Sequence, residues 1–148
     1  MAYTWRLSSV VKWQLYIYHE GVQTVTINGK WDLIIAHPPC TYISNAGVRF
    51  LYPGGNGILN EERLRKGIEA THFFLRFLYA DCEHIAVENP IPSTVYCLPK
   101  YTQIIQPWMF GHPVQKKTCL WLKGLPKLQP TDITEEHQKT KGRITLQE

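Results

Sequence analysis

The sequence predicts an α/β fold with a short, mostly parallel sheet and few helices. Three observations carry this. Leu33-Ile34-Ile35-Ala36 is a continuous apolar run, the pattern of a strand covered on both faces. Residues from Asn60 onward repeat apolar side chains at helical intervals. His84 to Val87 is a second short apolar run after that helix. Strand, helix, strand in this order implies a βαβ unit, whose two strands are parallel.

The elements follow in order. Trp13 to Tyr18 alternates, with Trp13, Leu15 and Ile17 on one face, and predicts a strand. Thr24 to Ile27, the Asn28-Gly29 pair and Lys30 to Ala36 predict a hairpin, because Asn-Gly supplies the two positive φ angles of a type I′ turn. That strand stops at His37-Pro38-Pro39. Tyr52 to Asn60 is turn material, with Pro53, Gly54, Gly55 and Gly57. Asn60 is a cap for the helix, and Glu61 and Glu62 suit the positive end of its dipole. Leu64, Ile68, Thr71, Leu75 and Leu78 form the expected buried stripe, ending near Ala80-Asp81. Glu88-Asn89-Pro90 closes the second buried strand. Tyr101 to Gln106 and Thr118 to Leu122 are further strand candidates. From Pro126 the chain turns polar, and a loose or extended tail is expected.

A chain of 148 residues, 44% hydrophobic and 19% charged, has the material for one folded core. It has no apolar run of the 18 or more residues that span a bilayer. Met1 to Val10 lacks the charged-then-apolar layout of a secretory signal. The expectation is a cytoplasmic protein without a membrane partner. Cys40, Cys82, Cys97 and Cys119 form no Cys-x-x-Cys pair and have no His at a finger-like spacing, so no metal site is expected. The net charge is +4. Between Leu98 and Glu148 eight basic residues face four acidic ones, so the whole excess lies in that third. Such a cluster suits a polyanion partner.

In an open parallel sheet, ligands bind beyond the C-terminal ends of the strands. His37-Pro38-Pro39-Cys40 and Glu88-Asn89-Pro90 both occupy such ends. If the two strands are neighbours, Cys40 and Glu88 face one crevice. A cysteine there can attack an electrophilic carbon while a carboxylic acid protonates the substrate. Either residue alone is more simply a turn cysteine or a loop acid. The matched pair is what points to a site.

These segments resemble the cytosine-5 DNA methyltransferases. DLIIAHPPCTYIS is similar to their strand and Pro-Cys loop, HIAVENP to their Glu-Asn strand end, and FGHPVQKKTCLWLKG to their Gln-x-Arg-x-Arg block. From about Gly29 to Thr131 the chain also resembles phage-borne methyltransferase-like proteins. The resemblance implies a partial Rossmann-like methyltransferase fold. It divides the chain into a segment 1–28 outside the family, a core 29–131 and a polar tail 132–148. It implies that Cys40 adds to C6 of a flipped cytosine, with Pro38 and Pro39 fixing the loop. Glu88 would hold the N3 and N4 edge of the base, and Asn89 the turn. Gln115 and Lys117 would stand at the family's Gln and first Arg. Lys116 and Lys123 would add to a nucleic-acid surface.

The departures are as informative. The family opens with a strand and a glycine-rich loop for S-adenosylmethionine. Met1 to Glu20 has no glycine, and Gly21 and Gly29 stand alone. Cys119 occupies the place of the second Arg. Lys117 lacks the planar fork of the first. A shortened methyltransferase-like core from a phage or mobile element is expected, unable to methylate DNA alone. It has no cofactor of its own, and S-adenosylmethionine enters only if a partner chain supplies the site. The alternative is a non-catalytic inhibitor of a host defence nuclease, of restriction or CRISPR type, that binds protein or DNA. A shortened sheet leaves apolar surface to cover. The aromatic N-terminal segment (Trp5, Trp13, Tyr16, Tyr18) and a homodimer partner are the expected covers.

Overall fold

A computed structural model describes residues 31–55 and 57–133. The predicted strand at 13–18, the hairpin arm at 24–29 and most of the tail lie outside the described residues. The described part is a small mixed α/β fold: four strands in one sheet, two α-helices and short 3₁₀ turns.

β1 (Trp31–Ala36) leads through the short helix α1 (Asn45–Val48) to the long helix α2 (Glu61–Leu78). Asn60 caps α2 as expected, its side chain accepting from the Arg63 N–H at 2.9 Å. β2 (Cys82–Pro90) follows and pairs parallel with β1, Ala36 opposite Val87. The strand–helix–strand expectation therefore describes this part of the chain.

The mostly parallel sheet does not hold. The order is β1-β2-β4-β3, with β3 (Gln103–Ile105) and β4 (Thr118–Lys123), and both remaining pairings are antiparallel. The cause is the connection from β3 to β4. Neighbouring parallel strands need a long crossover, usually a helix. Residues 106–117 contain only the 3₁₀ turn Pro107–Met109. β4 therefore turns back along β3 and inserts between it and β2, antiparallel to both.

α2 covers one face of the sheet. Ile85, Val87, Cys119 and Trp121 lie beneath it, together with Ala36. Phe74, fully buried, meets the Trp121 ring edge-on at 4.8 Å, and the indole N–H of Trp121 donates to the Pro99 carbonyl at 2.7 Å. Such aromatic pairs add about 0.5–1.5 kcal/mol beyond their buried area. The helical stripe agrees with the expected one in part: Leu64, Leu75 and Leu78 pack against the core, but Gly67 and Phe74 are its buried members and Ile68 is 45% exposed. Gly67 has a steric reason. A Cβ there would stand 2.1 Å from the Tyr96 hydroxyl.

β1 also departs from its apolar pattern. Ala36 is buried, but Leu33 and Ile35 are exposed, so among the described residues one face of this strand is uncovered. Past β4 the chain is extended and tied down. The Gln103 side chain donates to the Leu128 carbonyl at 2.7 Å and accepts from its N–H at 2.9 Å, and Gly111 N–H donates to Asp132 O at 2.7 Å. Among the described residues no helix is long and apolar enough to cross a membrane.

Candidate functional site at the ends of two parallel strands

The parallel register decides what meets at the C-terminal end of β1 and β2. Ala36 lies opposite Val87, so the next residues on each chain, His37 and Glu88, are adjacent. His37 Nδ1 lies 3.0 Å from Glu88 Oε2. Side chains alternate along a strand, so Asn89 points to the opposite, covered face. It is 1% exposed, and its Nδ2 donates to the Pro38 carbonyl at 2.7 Å. Asn89 Oδ1 is buried with no partner among the described residues. Asn89 thus holds the proline turn in place, and the Pro38 side of that turn is itself buried.

The turn continues into a loop tied to the chain that leaves β2. Ser44 N–H donates to the Cys40 carbonyl at 3.0 Å, Asn45 N–H to Ile91 O at 3.0 Å, and Ser93 N–H to Ile43 O at 2.8 Å. Ser44 then caps α1 through Gly47 N–H. Arg63, on the first turn of α2, closes the loop from the other side. Its guanidinium donates to Thr41 O and Gly47 O, both at 3.0 Å, and lies 4.9 Å from the ring centres of both Tyr42 and Phe50. A Cβ at Gly47 would stand 2.2 Å from the Thr41 carbonyl oxygen, so glycine is required there.

Cys40 is a free, partly exposed thiol two residues beyond the Pro38 that Asn89 holds. Cys40, Pro39, Glu88 and Asn89 therefore follow or close the same end of the paired strands β1 and β2. The basic residues divide. Gln115, Lys116 and Lys117 are exposed on the segment entering β4, whose Thr118 pairs with Pro90. They stand at the same end of the sheet as Glu88. Lys123 is at the other end of β4, opposite Ile85, where its Nζ donates to Ala80 O at 3.4 Å. Its distance along the strand separates it from Cys40 and Glu88.

Cys119 is a buried thiol. Burial first, and then the charge of Glu88, pushes its pKa up. It is a poor nucleophile by that account. After the Pro-Cys loop, Gly54 and Gly57 have φ of +82° and +75° and open space where a Cβ would be. Among the described residues no group of three or more His, Cys, Asp or Glu is placed to hold a metal ion.

Two residues of this site have no role in the sequence reading. His37 stands in the motif, but only the register of β1 on β2 puts it against Glu88. Arg63 lies in the helix, but a periodicity argument sorts helix faces and does not show which carbonyls a guanidinium reaches. Comparison of the chain with protein-family models, with curated proteins and with solved structures finds no match in any of the three.

Proposed function

We propose that this strand end binds a cytosine and attacks it, as a methyltransferase-like core of phage or mobile-element type. The observation that supports this most is the joining of the two predicted motifs through the Asn89–Pro38 and His37–Glu88 contacts. Cys40 is the nucleophile. Its thiolate forms a bond to C6, the π electrons of the C5–C6 and C4–N3 bonds shift, and N3 takes a proton from the Glu88 carboxylic acid. Protonation at N3 makes C6 the better electrophile, so the acid and the thiolate act on one conjugated system. The base has to leave its stack to be reached. Pro39 stiffens the approach, and Gln115, Lys116 and Lys117 stand on the side of the sheet where a phosphate backbone would run. Methyl transfer forms no part of this step. S-adenosylmethionine would have to be held by a partner chain, and a homodimer or a host protein is the partner in this reading.

The test is a covalent trap. Duplex DNA carrying 2-pyrimidinone, an electrophilic cytosine analogue without the exocyclic amine, is incubated with the protein and run on a denaturing gel. A protein–DNA band that disappears in Cys40→Ser is expected. Absence of the band in the wild type, together with biological activity that survives Cys40→Ser, rejects the nucleophile and leaves the non-catalytic inhibitor of a host nuclease.

A further inference from the structure

We infer that His37 supplies the proton that Glu88 needs and fixes the direction of its carboxyl group. This rests on the cytosine reading above and adds a residue to it. A carboxylic acid has to be protonated to hold N3 of a cytosine, and a lone exposed carboxylate is ionised near neutral pH. His37 Nδ1 is in hydrogen-bond contact with Glu88 Oε2 at 3.0 Å. The imidazole is 66% exposed and the carboxyl 26% exposed, so the histidine exchanges protons with solvent while the acid faces the sheet.

The other neighbours do not compete for this role. Across the ladder from Glu88 stands Leu120, and beyond Leu120 stands Gln103 of β3, neither of which titrates. The next residue on β4 is Cys119, whose thiol is pushed towards its neutral form. Lys116 and Lys117 precede β4 and are exposed. α2 packs on the opposite face.

The step balances within the pair. With imidazolium and carboxylate side by side, the N–H bond at Nδ1 breaks and an O–H bond forms at the carboxyl group. The products are neutral imidazole and carboxylic acid. In water the charged pair is well solvated. A base lying over the strand end removes that water, which disfavours the two charges and drives the proton to oxygen. The acid then donates to N3. One proton on the pair is therefore required for binding. Cytosine affinity is expected to fall as the pH rises and the pair loses that proton, by about tenfold per pH unit for one linked proton.

The experiment compares wild type, His37→Gln and Glu88→Gln. The probe is a fluorescent duplex with one unpaired cytosine, set against the same duplex with an abasic site, by anisotropy from pH 5 to 8.5 (the range is about that of imidazole titration). His37→Gln keeps a hydrogen-bond donor without the titration. Its cytosine-specific affinity is expected to fall at a lower pH than that of the wild type. A fall at the same pH in wild type and His37→Gln overturns the inference and leaves the cytosine reading standing. No cytosine preference in the wild type at any pH overturns both. Imidazole nitrogen NMR is the second readout: the His37 Nδ1 signal is expected to change in Glu88→Gln with loss of the contact, and an unchanged signal would break the proposed pairing whatever the DNA does.

Discussion

At the scale of single residues, the site is made by alternation along β2. Glu88 and Asn89 are neighbours in sequence and point to opposite faces. One meets His37, the other the Pro38 carbonyl. The Glu-Asn pair therefore grips the Pro-Cys turn from both sides of the sheet. The buried groups beside it have a pH signature. Burial and then Glu88 raise the Cys119 pKa, and burial raises that of Tyr96 against the opposing charge of Arg63. For each, the folded protein keeps a proton that the unfolded chain has released. Stability is full below the unfolded thiol value of about 8.5 and falls as the pH rises above it. Urea denaturation between neutral and alkaline pH should show that decline, with a slope of at most about 1.4 kcal/mol per pH unit from one group. Cys119→Ala should remove its first part and leave the later tyrosine part.

Among the elements, α2 shows both what the sequence discloses and what it does not. Its cap at Asn60 and its acidic first turn were legible, because each rests on local chemistry, and its end at Leu78 comes a little before the expected Ala80-Asp81. Its buried line was legible in part: Leu64, Leu75 and Leu78 pack against the core, but its centre depends on what lies opposite. Tyr96 sits over Gly67 and Trp121 sits under Phe74, and these two contacts set the rotation that leaves Ile68 outside. Phe74→Ala should cost about 3–5 kcal/mol in denaturant midpoints, the usual loss for a buried aromatic. Ile68→Ala, which the apolar stripe would rank as comparable, should cost well under 1 kcal/mol. Equal losses would place the stripe back where periodicity puts it. The strands divide in the same way. The run of β1 reads as covered on both faces, yet Leu33 and Ile35 are exposed, since hydrophobicity alone does not say how many layers a sheet receives.

On the scale of the whole molecule, strand direction was the property hidden from the sequence. A short apolar run announces a strand and is silent about its partner. β3 and β4 were found at their places, but the antiparallel pairing of β4 on β2 came from β4 turning back from β3 and inserting between the two. That reversal is what carries Lys116 and Lys117 to the end of the sheet where Glu88 stands and Lys123 away from it. The two contacts that define the site each span 51 residues of chain. The intervening segment reaches the surface at the exposed glycines Gly54 and Gly57, where added side chains would meet nothing. Exposed, glycine-containing tips of this kind are where nicks and insertions are tolerated. Breaking the chain there would place Cys40 on one fragment and Glu88 on the other, joined by the parallel ladder, the Arg63 clamp, the loop hydrogen bonds and the shared core. The two pieces, expressed separately, should restore the Cys40-dependent trap on mixing, and the dose needed would measure the strength of that ladder. The backbone connection is then a tether that raises local concentration, so the protein can serve as a split reporter whose output is one cysteine and one carboxylate brought into register.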